Sequence, residues 1–253
     1  MTEILISWQP TAKPGKVRDC SSKRYDPMFS HQNSLQQPNQ PIQPLEKIVV
    51  IALLLFAAML FFIIYTLDPA ITHSLTSETG IFEVVSPPLW IVLAVLCFVV
   101  VGRTRYGIGT TLLALIFAAR EWDLHKAFTA DSIFKHAFYK MDIPLAQKVW
   151  GGLAAAICVA VLLWMTVSCI LYLWREKAWR QAWGRLTILS IGLIFFTKVC
   201  DRLEATLAVD YHIYMTVIQG EICNMFEEGY EMLLPIVFGI ALLSWRRRKS
   251  LAI

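Results

Sequence analysis

The fold is decided by residues 219–245, which read QGEICNMFEEGYEMLLPIVFGIALLSW. Their uncharged part, residues 232–245, extends only about 21 Å as an α-helix at 1.5 Å per residue. The hydrocarbon core of a bilayer needs about 30 Å, or roughly 20 residues. A helix that crosses a membrane here must therefore place Glu227, Glu228 and Glu231 at or just below the membrane surface.

The acidic half of this segment also carries a polar stripe. Its members recur at helical spacing and are Glu221, Asn224, Glu228 and Glu231. Pro235 lies four residues after Glu231 and has no amide proton, so it cannot donate to the carbonyl of Glu231. The stripe and the freed carbonyl together indicate a site on one face of the helix.

The composition is typical of an integral membrane protein. The 253 residues are 57% hydrophobic, and the mean hydropathy is +0.54. Outside the apolar runs, only residues 1–47, short loops and the end of the chain remain for water. This composition excludes a soluble domain, and the basic stretches fit membrane topology better than a nucleic-acid-binding surface.

Six apolar segments predict an all-α membrane protein, a bundle of six transmembrane helices within residues 48–245. They are residues 48–67, 81–101, 107–125, 149–174, 186–204 and 219–245. Residues 1–47 predict a disordered cytoplasmic tail and residues 246–253 a basic cytoplasmic tail. Between the third and fourth segments, apolar residues at helical spacing over 128–141 predict an amphipathic helix in the membrane interface.

Lys and Arg concentrate on one side of this six-span chain. They lie before the first span, at residues 103–105, at residues 175–185 and at residues 246–249. The positive-inside rule therefore predicts a multi-pass protein of the bacterial inner (plasma) membrane with both termini in the cytoplasm. The loop after the third span is an exception, because it carries lysines on the outer side.

Three of the apolar runs are too short to span, and charged residues complete all three at the outer end. With Glu83 of the second span, the layer comprises Glu83, Arg120, Glu121, Asp123, His125, Lys126, Lys198, Asp201, Arg202, Glu204, Glu221, Glu227, Glu228 and Glu231. Its nine carboxylates face four Lys and Arg residues, a net charge of about −5 if all ionise. A partly dehydrated site resists such a charge, so we expect protonated carboxylates or a bound cation.

One interpretation of this layer is a structural ion-pair network. Arg120, Arg202 and Lys198 would then hold carboxylates and stabilise the bundle. Ionisable residues near the membrane interface cost less than residues at its centre, which favours this interpretation. The protein would be a non-enzymatic membrane scaffold or accessory protein.

The interpretation that we adopt from the sequence is an outward-facing carboxylate and histidine pocket that binds a divalent metal, in an enzyme that acts on a lipid or lipid-linked substrate; the ion-pair network is its alternative. Candidate ligands from facing helices, as in other helical bundles, are Glu121, His125, Asp201, Glu204, Glu228 and Glu231. One imidazole among carboxylates suits Zn, Mn or Fe. A metal-bound water would attack the substrate, with Glu227 or Asp123 as base. Further pocket residues are Glu83, Glu221 and Asn224.

A third interpretation is a cation- or proton-coupled transporter. Glu83 and Pro87 repeat the four-residue offset of Glu231 and Pro235, as in the interrupted helices of transporters. Against this interpretation, the inner halves of the six segments lack ionisable residues, so no polar path crosses the membrane.

Three motifs resemble segments of uncharacterised bacterial multi-pass membrane proteins. They are GIFE at residues 80–83, REWDLHK at residues 120–126 and FEEGYE at residues 226–231. The resemblance covers about residues 48–245. It implies a multi-pass helical fold and no established activity.

Overall fold

A computed structural model describes residues 43–77, 80–124 and 131–251. Regular structure in these ranges is helical and includes no strand, which confirms the all-α fold. The elements are α1 (Pro44–Thr66), α2 (Pro69–Thr76), α3 (Ile81–Val101), α4 (Arg105–Glu121), α5 (His136–Lys140), α6 (Leu145–Arg175), a 3₁₀ turn (Ala178–Arg180), α7 (Ala182–Asp210) and α8 (Val217–Leu251). Most of the predicted tail, residues 1–42, and the candidate ligand His125 lie outside the described residues.

Three helices of the described chain are long and apolar enough to cross a membrane. They are Pro44–Thr66, the segment Ala70–Val101 that contains α3, and Leu145–Arg175. The protein is therefore a helical membrane protein. This finding covers three of the six predicted spans.

The first span begins earlier than its apolar run. Pro44 occupies the first turn of α1, where its missing amide proton costs nothing. The carboxylate of Glu46 accepts a 2.7 Å hydrogen bond from the backbone amide of Gln43. This capping interaction of an acidic residue in the first turn starts the helix before Ile48. Residues that the sequence analysis assigned to the tail therefore belong to α1.

The charged ends of α4 and α7 differ. The fifth apolar run is extended as predicted, because α7 continues through Lys198 and Glu204 to Asp210. The third was expected to continue through His125, but α4 ends at Glu121. Asp123 then adopts a left-handed conformation with φ 52°, which is incompatible with a continuing α-helix.

The prediction of an amphipathic helix over residues 128–141 is wrong for the residues of this segment that the structure describes. Within residues 131–141 only α5 is an α-helix. Asp131 accepts a 2.7 Å bond from the amide of Ser132, whose hydroxyl accepts from the amide of Phe134 at 3.4 Å. Such local side-chain bonds to the backbone compete with helix formation. The apolar Phe138 is fully buried, so the segment packs against its neighbours.

Helix α8 lies at the centre of the bundle. It packs on α7, α3, α1 and α2, while α3 also packs on α4 and α4 on α6. One apolar cluster joins α1, α7 and α8 through Leu60, Leu186 and Met225. A second joins α3, α4 and α8 through residues that include Trp90 and Leu234. The position of α8 therefore determines which charged residues meet at the ends of the bundle.

We expect Gly229→Val to destabilise the contact between α8 and α1. A Cβ atom at Gly229 would lie 3.0 Å from Leu60 and 3.1 Å from Phe56, and Leu60 is fully buried. Overpacking of this kind costs about 1–3 kcal/mol. Thermal unfolding of the purified protein in detergent measures the effect. Gly192→Val is the control, because a Cβ atom there meets nothing within 4 Å; equal melting temperatures would contradict the expectation.

Candidate functional site

A charged cluster lies where the end of α4 meets α7 and the first half of α8. We use this name for Arg120, Glu121, Lys198, Asp201, Glu227, Glu228 and Glu231. Because α7 and α8 are continuous helices, the cluster residues of each helix lie on successive turns. The residues on α7 face those on α8. The cluster contains side chains from all three of the apolar runs that are too short to cross a bilayer alone.

Glu231 is the centre of the charged cluster. Its side chain is 9% exposed, and it accepts from two cations on two other helices. Lys198 Nζ lies 2.8 Å from Oε1, and Arg120 Nη2 lies 3.3 Å from Oε2. Hydrogen bonds between ionised groups are about twice as strong as neutral ones. Glu231 therefore joins α4, α7 and α8 at one level.

Lys198 extends this network along α7. Its ammonium group lies 3.6 Å from Glu227 Oε1 and 3.5 Å from Asp201 Oδ2. Asp201 is also 3.8 Å from Nε of Arg202, whose side chain is largely exposed. Exposed pairs of this kind contribute about 0–1 kcal/mol. The stabilising part of the network is therefore the part that reaches Glu231.

Glu121 connects the network to α3. The hydroxyl of Ser86 donates a 3.1 Å hydrogen bond to Glu121 Oε2, and Ser86 is buried. Sequence reasoning missed Ser86, although it is a hydroxyl residue within an apolar run and directly precedes Pro87. Glu121 Oε1 lies 4.0 Å from Nε of Arg120, so the two neighbours on α4 also attract each other.

Glu228 is the carboxyl group of the cluster that no described cation contacts. Its half-buried side chain makes no hydrogen bond or ion pair with any residue that the structure describes. It interacts unfavourably with other carboxylates, those of Glu83, Glu121, Glu227 and Glu231. Like charges that share a partly dehydrated site favour a proton or a cation in their midst.

The six predicted metal ligands do not all meet at one point. Glu204 is exposed and faces the start of α8, where a Cβ atom at Gly220 would lie 3.5 Å from its Oε2. Gly220 precedes Glu231 by eleven residues, or about 16 Å along the helix. Among the residues that the structure describes, no group of three or more His, Cys, Asp or Glu side chains is arranged to hold a metal ion. His125 lies outside those residues.

Of the other predicted site residues, Glu83 lies close enough to Glu228 for the two carboxylates to repel each other, whereas Glu221, Asn224 and Asp123 lie outside the charged cluster. Nδ1 of His73 on α2 is 3.5 Å from Oε1 of Glu221. The second oxygen of Glu221 is buried, and in the described parts of the chain it has no hydrogen-bond partner. Asn224 is exposed on α8, and Asp123 is exposed in the turn after α4. The predicted stripe on α8 is thus divided among different surroundings.

A separate ion pair lies at the opposite end of α7. Arg185 donates to both oxygens of Glu46 on α1, at 2.5 Å from Nε and 2.7 Å from Nη2. Arg248 near the end of α8 donates to Gln181, which precedes α7. The sequence interpretation placed Glu46 in a tail, although its position two residues after Pro44 is typical of a first helical turn.

The charged cluster has two features of chemical interest: its ion pairs connect three helices, and Glu228 lies among other carboxyl groups, where a proton or a cation can balance charge. Comparisons of the chain with protein-family models, curated proteins and solved structures find no match. The function must therefore be inferred from the geometry of the cluster.

Proposed function

We propose that the protein is a non-enzymatic membrane scaffold or accessory protein whose charged cluster is a structural ion-pair network. The observation that supports this most directly is the shared partner of two cations. Arg120 of α4 and Lys198 of α7 both bind Glu231 of α8. Alternating basic and acidic groups suit an ion-pair network, whereas two cations beside a carboxylate oppose its use as a metal ligand.

In this proposal, the network compensates the charge of a mostly buried carboxylate. Glu231 is mostly buried, and a buried charge is tolerated only when it is paired and hydrogen-bonded. Pairing fixes α4, α7 and α8 relative to one another at the level where their apolar runs end. In the proposed function, this fixed end is the rigid surface that an accessory protein presents at the outer side of the membrane.

We further propose six spans with both termini in the cytoplasm. Helices α7 and α8 have 29 and 35 residues, more than the roughly 20 needed to cross a bilayer. The end of α4, the second half of α7 and the first half of α8 share the charged cluster. The starts of α1 and α7 share the pair of Glu46 with Arg185 at the other end. These pairings agree with helices that alternate in direction across one membrane.

Labelling of introduced cysteines tests this topology. In a cysteine-free background of the full chain, Tyr214→Cys should react with an impermeant maleimide from outside intact spheroplasts. Lys177→Cys should react only after permeabilisation, because six spans place the loop after α6 in the cytoplasm. If only the three most apolar helices crossed, position 177 would lie outside, so external labelling of Lys177→Cys would contradict the six-span proposal.

Glu231→Gln should destabilise the protein. The substitution leaves Arg120 and Lys198 without their shared carboxylate, and their side chains are 41% and 37% exposed. Because water screens them partly, we expect a loss of about 1–3 kcal/mol, below the cost of breaking a fully buried pair. Thermal unfolding in detergent is the measurement. Glu204→Gln is the control and should change stability by less than about 0.5 kcal/mol, since Glu204 is exposed.

An unchanged melting temperature for Glu231→Gln would contradict the structural function of the network. It would instead favour the binding of a cation by the cluster. Lys198→Gln offers an independent variant, because it removes the cation that contacts three carboxylates rather than the carboxylate at the centre.

Glu228 favours a second function, a metal-dependent membrane enzyme that acts on a lipid or lipid-linked substrate. Its half-buried carboxylate faces other acids and has no partner in the described chain. Glu121 and Glu231 act on Glu228 electrostatically, and the three carboxylates would have to move together to hold a divalent cation such as Zn, Mn or Fe, because they are not arranged as a metal site in the described chain. Bound there, the metal would supply Lewis acidity and an activated water at the membrane surface.

Metal content separates the two functions. If the ion-pair network is the function, the purified full chain should contain no stoichiometric metal, and added Zn²⁺ or Mn²⁺ should not raise its melting temperature. If a metal site is the function, binding should stabilise the folded state by mass action. That stabilisation should be absent in Glu228→Gln and retained in the exposed control Glu204→Gln.

Transport receives less support from the structure. The core between the charged cluster and the opposite end of the bundle is mainly apolar, and its buried residues include Leu53, Leu186, Leu234 and Val237. The buried hydroxyls of Ser190 and Thr197 also lie at this depth, and each donates to a carbonyl of its own helix. A path for ions or protons needs polar groups or water at this depth. The transporter interpretation remains the weakest of the three proposals.

A further inference from the structure

An apolar groove opens between the first turns of α1 and α7. Its volume is about 450 Å³. It is lined by Glu46, Lys47, Val50, Ile51, Arg185, Leu186 and Leu189. The charged residues lie nearest the starts of the two helices, and the apolar residues lie farther along them. The groove therefore has a polar mouth and an apolar interior. This arrangement matches a phospholipid, which has a polar head group and apolar chains.

Among the described residues, the mouth of the groove carries one positive charge, that of Lys47, without a paired carboxylate. Arg185 is neutralised by Glu46 through two hydrogen bonds. Lys47 is exposed, and within the described chain its ammonium group forms no ion pair. The starts of α1 and α7 add partial positive charge from their backbone amides. A lipid phosphate at this mouth would meet a cation without having to displace an internal partner.

The interior of the groove is lined by aliphatic side chains. Val50 and Ile51 follow Lys47 by three and four residues, or about one helical turn. Leu186 forms part of the wall and is almost fully buried, whereas Ile51 is 54% exposed. The groove is thus bounded by a buried side chain on the α7 side and is exposed on the α1 side. Acyl chains can enter it laterally from the bilayer.

We propose that the groove between α1 and α7 binds an anionic phospholipid, with its phosphate at Lys47 and an acyl chain along Val50, Ile51 and Leu189. Basic pockets between helices on the cytoplasmic side of a membrane are suited to anionic head groups. The assignment to the cytoplasmic leaflet rests on the six-span proposal. Binding itself does not, so the two proposals fail independently.

Native mass spectrometry of the full chain in detergent tests the site with phosphatidylglycerol as the probe. Wild-type protein should bind it, and Lys47→Gln should bind about fivefold more weakly, the effect of about 1 kcal/mol for one lysine near a membrane surface. Ile51→Trp should also weaken binding, because the larger ring fills the groove. Lys140→Gln is the matched control: it removes the same charge from an exposed position on α5 and should bind as the wild type does.

Three results would overturn the proposal. Equal binding by Lys47→Gln and Lys140→Gln would show that the charge at the groove mouth is irrelevant. Equal binding of zwitterionic phosphatidylcholine would show that the site does not select an anionic head group. Full competition by inorganic phosphate would show an anion site without a lipid-binding groove. Melting temperatures of the variants establish that they are folded, and Ile51 is exposed enough to be replaced without disturbing the core.

Discussion

A mostly buried carboxylate on the central helix is the constraint on which the charged end of this bundle depends. Glu231 lies at the point where the apolar part of α8 begins, and burial there requires ionised partners. Lys198 and Arg120 supply them from helices whose own apolar runs also end at this level. Short apolar runs are completed by charged turns, and the need to pair Glu231 brings those turns together. Packing of α8 on α7 and α3 then follows the register that the pairing allows.

The helices were predictable to the extent that apolar length controls them. The extension of α7 through Lys198 followed from an apolar run too short to cross a bilayer, and the structure has that extension. The end of α4 at Glu121 was not predictable in this way, because the left-handed turn at Asp123 is a local backbone feature. The prediction of a helix around Ser132 was wrong for a similar reason, because helical periodicity does not reveal hydrogen bonds between side chains and the adjacent backbone.

The composition of the charged layer was predictable, and its pairing was not. Spacing places Glu204 and Glu231 in the same broad layer, yet Gly220, which Glu204 faces, is about three helical turns from Glu231. A difference of this size separates a shared coordination sphere from two unrelated sites. Ser86 and Glu46 were overlooked because each is a single polar residue at the edge of an apolar or tail-like stretch. Their partners become apparent only when the helices are packed.

The two ends of the bundle use charge differently, and this difference bears on function. At one end Arg185 and Glu46 form a balanced pair that leaves both carboxylate oxygens satisfied. At the other end the carboxylates outnumber the cations that contact them, and Glu228 is left among acids. Holding helices together explains the pairs around Glu231 but requires no unpaired acid. Within the described chain Glu228 makes no ion pair, so its charge must be balanced by a proton or a bound cation whenever the site is dehydrated.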